Sequence, residues 1–332
     1  MDMTRRTAIT VAAAALGAPA ATAATGPVMP GIRIRPDREE MIPVPGGRVY
    51  ARINGDLAGP RPPIVFLHGG PGSAHWYFLN ATALADERAV ILYDQLDSGR
   101  SDHPNDSANW TVPRFVAELE AVRTALDISR WHVLGASWGG TIVTEYAALR
   151  PAEMASAIVQ SPLISTPVWL RDARRLRDRL PRPVRDVLSA CDTPGALPED
   201  QCEAAKDIFY QRHVRLHEVP PDIAAYRAAL PRSFTESIYN HMWGWAEFSA
   251  AGTLKDYDGT ALLDRLDGKR TLFVAGEHDE AIPATIAGFA RRAHAPFREI
   301  PGAAHTIMND NPAAFLAVLR PWLAQHDEQA EA

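Results

Sequence analysis

The chain has 332 residues, with 34 Lys or Arg against 40 Asp or Glu and a formal net charge of −6. Apolar residues make up 46% and charged residues 22%, which excludes a disordered or collagen-like chain and suits one large domain or a domain with an insertion. The acidic excess offers phosphate no general attraction and argues against nucleic acid as a partner.

In chain order the first feature is a leader. Arg5-Arg6 within Thr4 to Thr10 has the form of a twin-arginine export signal, and an Ala-rich stretch runs from Ala8 to about Ala24. Ala21-Thr22-Ala23 suits a signal peptidase. Residues 1–24 are therefore expected to be removed, and the mature protein to be periplasmic or secreted. The leader is poor in large apolar residues and no other segment approaches ~18 of them, so no stable membrane insertion is expected.

Met41 to Pro45 and Arg48 to Ile53 alternate around Gly46-Gly47, which predicts a β-hairpin. Five continuous apolar runs follow: Pro63 to Leu67, Ala89 to Tyr93, Trp131 to Leu134, Ala155 to Gln160 and Thr271 to Ala275. Such runs suit strands buried on both faces of a parallel sheet. Helical spacing over Phe115 to Leu126 and Thr141 to Leu149 separates several of them, giving an α/β pattern. The pattern breaks between about Leu163 and Gly259. The expected organisation is a core over 30–162 and 260–326 with a helical cap over 163–259. Cys191 and Cys202 flank a turn-rich stretch in that cap. Export permits a disulfide there, which is the expectation; two unpaired thiols are the alternative.

Gly135-Ala136-Ser137-Trp138-Gly139 has the form G-x-S-x-G, with a strand before it and a helix after it. A serine on so tight a turn projects its hydroxyl clear of the backbone, and glycines flank it where side chains would collide. Its hydroxyl needs a base, and the base needs an orienting carboxylate, in the order Ser, acid, His. Asp279 follows the Thr271 run and His305 follows a short run at Phe297 to Ile300, both on loops at strand ends. His278 competes for the base but adjoins the acid. Asp264 and Asp267 compete for the acid but precede their strand. Two N–H donors are required for the oxyanion: Trp138, after the nucleophile, and Gly70 in the glycine-rich loop His68 to Gly72.

Three blocks together, His68-Gly69-Gly70-Pro71-Gly72, Tyr93-Asp94-Gln95-Leu96-Asp97-Ser98-Gly99-Arg100-Ser101 and Gly135-Ala136-Ser137-Trp138-Gly139-Gly140, make the chain resemble the prolyl aminopeptidase (proline iminopeptidase) family of α/β-hydrolases. The resemblance spans almost the whole mature chain. It implies an α/β-hydrolase fold, a Ser–Asp–His triad and a helical cap over the site. Asp97 departs from it, standing where the family usually has Gly. The stretch Tyr239 to Phe248 looks like the cap of the tricorn-associated branch, in which two glutamates hold the substrate's free amino terminus. Glu247 and Glu280 match those positions. Physics agrees, since two carboxylates facing one pocket favour a cation between them; the alternative is a solvated cap residue and a supporting loop residue. Trp243, Trp245 and Trp138 either wall a pocket for the first side chain or only pack the cap on the core.

The resulting expectation is a serine hydrolase that releases an N-terminal amino acid, proline or another small apolar residue, from small peptides or amino-acid amides. An exported esterase or amidase acting on a metabolite without a free amine is the alternative. No metal or organic cofactor is expected. His213 and His217, four apart, lack a third ligand. The stretch Arg171 to Asp186, with seven Arg and three Asp, reads as a solvated cap helix.

Overall fold

The computed structural model describes residues 24–193 and 195–328. The leader therefore lies outside the described residues, apart from Ala24. From Ala24 the chain is held in place. Gly26 N–H donates to the Glu218 carbonyl at 2.7 Å, and Glu218 N–H donates to the Ala24 carbonyl at 2.9 Å. Further along, Met29 N–H reaches Asn80 Oδ1 at 2.9 Å.

Eight strands form one sheet: β1 Arg38–Val44, β2 Gly47–Asn54, β3 Ile64–Leu67, β4 Val90–Tyr93, β5 Trp131–Ala136, β6 Met154–Gln160, β7 Thr271–Gly276 and β8 Phe297–Ile300. Their order is β1-β2-β4-β3-β5-β6-β7-β8. β1, β2 and β4 pair antiparallel, as the predicted hairpin requires, and β4 through β8 are parallel. The five apolar runs are the five central parallel strands. They are continuous in sequence because both faces are covered. Ile64 and Phe66 of β3 point into one core, and Val65 and Leu67 into the other.

Helices α1 Val112–Ala125 and α2 Trp138–Ala148 cover the first face, and the 3₁₀ segment His75–Asp86 lies on the second. The helix expected from Thr141 begins three residues earlier, directly after Ser137. Five helices lie between β6 and β7: α3 Thr166–Arg177, α4 Arg182–Cys191, α5 Glu199–His213, α6 Pro221–Ala228 and α7 Glu236–Met242. Then α8 Pro283–Arg292 joins the first face, and α9 Ile307–Asp310 and α10 Pro312–Gln325 join the second. The inserted helices keep a core of their own, with Leu176, Leu188, Phe209 and Phe248 at its centre. Cys191 and Cys202 are bonded, tying α4 to α5.

The Arg-rich stretch is two helices rather than one. Pro181 lacks an N–H and disfavours helix in the residue before it, so α3 stops and α4 starts afresh. Its inner face is not solvated either. Asp172 is buried and accepts hydrogen bonds from Arg171 Nε at 3.0 Å and Arg175 Nη1 at 3.1 Å.

Candidate active site

Three loops at the carboxyl ends of β5, β7 and β8 meet in one place. Ser137 leaves β5 at φ 57°, ψ −120°, and α2 starts at the next residue. A side chain at Gly135 would put its Cβ 2.1 Å from the Gly139 carbonyl, and one at Gly139 would sit 2.3 Å from the Leu67 carbonyl. The turn is possible only with glycine at both positions.

His305 Nδ1–H donates to Asp279 Oδ1 at 2.8 Å. Asp279 is held in turn by three more donors: Ser161 Oγ at 2.5 Å and Gly276 N–H at 3.1 Å on Oδ2, and Ala281 N–H at 2.9 Å on Oδ1. A buried carboxylate so supplied stays in place. Burial works against protonation of the His305 imidazole. The charge and hydrogen bond of Asp279 prevail, with help from Glu247, and raise its pKa. Ser137 and His305 line the same cavity, of about 210 Å³. No hydrogen bond links their side chains in this conformation, and contacts of this kind tighten when substrate is bound.

The two expected oxyanion donors flank the serine. Gly70, at φ 108°, and Trp138 line a narrow cleft with Ser137, and neither backbone N–H donates to another group of the described residues. Gln95, which the sequence reading passed over, braces this corner. It accepts from Trp138 Nε1 at 2.9 Å and donates to the His68 carbonyl at 2.7 Å. Asp97 adopts φ 65° in the same block. Its carboxylate takes Asn105 N–H and Trp110 Nε1–H, both at 2.8 Å, and such local bonds let an Asp occupy a glycine-like conformation.

Glu247 lines this site, and Glu280 lies just behind it, beside His305 and Trp169. Glu280 follows Asp279 directly, is buried, and has both carboxyl oxygens without a hydrogen-bond partner. Its Oε1 lies 3.9 Å from His305 Nε2. Burial, then the charges of Glu247 and Asp279, push its pKa well above the usual carboxylate range. Glu247 comes from the insert and lines both the cavity and the cleft. Its Oε1 accepts from Tyr239 at 2.9 Å, and its backbone N–H donates to Tyr210 Oη at 3.2 Å. Burial raises its pKa too, against the pull of His305 and of the Tyr239 hydrogen bond.

The tryptophans divide. Trp138 and Trp243 line the cleft with Leu163 and Leu254. Trp245 does not reach the site: it packs edge-on against Phe248, ring centres 5.3 Å apart, inside the insert's own core. Its place at the wall is taken by Trp169. That indole donates to the Glu247 carbonyl at 2.8 Å and stands edge-on to His305 at 5.7 Å and to Trp243 at 6.1 Å. Trp169 belongs to α3, just before the Arg-rich run that reads as solvated. The cleft they enclose holds about 10 Å³, one water at most.

Of the remaining sequence candidates, His278 is exposed, and its ring stands 3.9 Å from the Glu277 carboxylate. His213 and His217 do not share a helix, because α5 ends at His213. The His213 carbonyl instead accepts the backbone N–H groups of both Glu280 and His305, at 3.0 and 3.2 Å. No group of three metal-ligating side chains and no helix long and apolar enough to span a membrane occurs among the described residues.

Comparison with known proteins agrees with this fold. Residues 62–312 match the family model described as alpha/beta hydrolase fold. The chain is 36% identical to a proline iminopeptidase of Heyndrickxia coagulans over 286 residues, which is 86% of this chain and 98% of that protein. It is 37% identical to one of Lactiplantibacillus plantarum, over 86% of this chain and 100% of that one. The crystal structure of a Mycobacterium smegmatis proline iminopeptidase superposes with a TM-score of 0.77 at 35% identity, covering 87% of this chain and 99% of that one. That of VinJ gives 0.81 at 31% identity, covering 88% and 99%.

Proposed function

The chain belongs to the proline iminopeptidase family of α/β-hydrolases, and from that premise we propose that it is a serine aminopeptidase that releases an N-terminal proline or another small apolar residue through an acyl-enzyme. His305 Nε2 takes the Ser137 proton as Oγ attacks the carbonyl carbon of the first residue. The Gly70 and Trp138 amides receive the negative charge that grows on the carbonyl oxygen. His305 then gives its proton to the departing amine, and a water activated by the same imidazole hydrolyses the ester. Asp279 holds the Nδ1–H throughout, which fixes the tautomer these transfers need.

The observation that carries the aminopeptidase reading is Glu280. A buried carboxylate with no donor at either oxygen, beside a second buried carboxyl, is costly unless a cation completes it. The ammonium of a free amino terminus is such a cation. Held by Glu247 and Glu280, it leaves one residue before Ser137, its side chain directed at the tryptophan cleft, which at about 10 Å³ has to widen to receive it. A cleft that tight admits a compact side chain before a long one. The leader-like N-terminus and the Cys191–Cys202 bond, which an oxidising compartment favours, support export from the cytoplasm.

Steady-state hydrolysis of aminoacyl-anilides tests this, with Pro and Ala among them, each with a free and an acetylated amino terminus, on wild type and Glu247→Gln. Turnover confined to free amines, with kcat/KM reduced in the variant, is the expected result. Equal turnover of acetylated substrates or simple esters, with a silent variant, makes the protein an exported esterase or amidase instead.

A further inference from the structure

We propose that Arg215 and Arg227 form a carboxylate-recognising site for the leaving group, so that the preferred substrates are very short peptides with a free C-terminus. This rests on the aminopeptidase reading above and adds the other end of the substrate. With the amino terminus at Glu247 and Glu280 and the first side chain in the tryptophan cleft, the leaving group must occupy the larger cavity. His305, which has to protonate that leaving amine, lines the cavity and not the cleft. At about 210 Å³ the cavity is smaller than the ~300–1,000 Å³ that drug-sized ligands occupy, which suits one or two residues.

Arg215 and Arg227 both stand on the wall of this cavity, and the side chain of neither makes a salt bridge or hydrogen bond within the described residues. Arg227 is held in place by other means. Its guanidinium carbon lies 4.6 Å over the Trp76 ring centre, and the Trp76 indole is itself anchored on the Ser233 carbonyl at 3.1 Å. The preceding residue is pinned as well. Tyr226 Oη meets His75 Nε2 at 2.8 Å and accepts from Arg52 Nη1 at 3.2 Å, while His75 Nδ1 is held by Asp94 at 2.8 Å. Two consecutive residues of α6 thus grip two consecutive residues of the core, His75 and Trp76. Burial, then the Arg215 charge, lower the Arg227 pKa, opposed by the exposed Glu218. A partly desolvated guanidinium beside a like charge is stabilised by an anion, and its planar fork matches a carboxylate.

The test compares kcat/KM for Pro-Gly with that for Pro-Gly-amide, using the whole protein. The acid is expected to be favoured at least tenfold, about 1.4 kcal/mol. That ratio should fall toward one in Arg227→Gln and in Arg215→Gln, and return in part in Arg227→Lys. Misfolding would reduce both substrates alike, so the ratio reports the site rather than the fold. A wild-type ratio near one, or a ratio unmoved in both glutamine variants, overturns the proposal. Free-amine anilides separate the two levels. If they turn over while the ratio is one, only the arginine site is wrong. If they do not turn over, the aminopeptidase reading fails and takes this site with it.

Discussion

Asp279 and Glu280 are neighbours in sequence and opposites in bonding. The first belongs to the sheet-edge loops and accepts four hydrogen bonds from the core and His305; the second faces the helical insert and accepts none. On the proposed mechanism the difference separates two tasks. Groups that move protons are fixed before substrate arrives, so no reorganisation is needed during reaction. Groups that recognise substrate are left incomplete, so that binding supplies what they lack. The insert follows the second rule, with the Glu247 carboxylate held by one tyrosine and Arg227 stacked without an anion.

Breaking the fixed half has the largest expected effect. Asp279→Asn keeps the shape but loses the charge that sets the His305 tautomer, and kcat should fall by about 10⁴. Its pH profile checks the cause. His305 must be neutral to act as base, and its pKa is raised above 6.5, so wild-type kcat/KM should climb with pH through a value above 6.5. Removing the Asp279 charge should move that limb toward acid in the residual activity. A limb that stays in place assigns the titration to another group.

Next comes the incomplete half. Glu280→Gln removes the charge that the ammonium neutralises, and truncating one member of a buried charged pair costs about 2–5 kcal/mol, roughly 30-fold or more in kcat/KM. Burial and the charges of Glu247 and Asp279 raise the Glu280 pKa, and an arriving ammonium acts in the opposite direction, so binding should be linked to loss of protons from this site. Calorimetric titration with a free-amine inhibitor in two buffers of different ionisation enthalpy should show proton release, and Glu280→Gln should abolish it. Tyr239→Phe is the milder version. It takes one donor from Glu247, worth about 1.5 kcal/mol and roughly tenfold, chiefly in KM for free-amine substrates. A matching loss on a substrate without an amine would make Tyr239 a packing residue.

The same division marks what the sequence discloses. Ser137, Asp279 and His305 each follow a short strand, so strand position, loop position and chain order are enough to find them. The walls of the recognition site carry no such local signal. Trp169 reaches the Glu247 carbonyl across 78 residues of sequence, and Tyr210 meets the Glu247 amide across 37. Helical spacing identifies a buried stripe on α3 but not the surface against which it is buried. Trp243 and Trp245 show the same gap: pocket wall and cap packing are both open from the sequence, and one indole lines the cleft while the other packs on Phe248. Ser161, the residue after β6, meets Asp279 across 118 residues of sequence and carries no local signal either.

If the insert recognises and the core catalyses, weakening the insert alone should leave chemistry nearly intact while substrate grip becomes temperature-sensitive. The Cys191–Cys202 bond offers that lever, because it joins α4 to α5 and touches neither cavity nor cleft. Closing so short a loop contributes about 2–3 kcal/mol by the chain-entropy account. Replacing both cysteines by serine should lower the unfolding temperature by several degrees and leave kcat at 20 °C within about twofold, the smallest effect on turnover in the series. The response on warming decides the matter. Tyr210 and the His213 carbonyl, which hold Glu247, Glu280 and His305, lie on the helix that the bond anchors. KM for free-amine substrates should therefore rise on warming before kcat declines. A parallel loss of both would mean that insert and core melt as one unit and that the division of labour is not a division of stability.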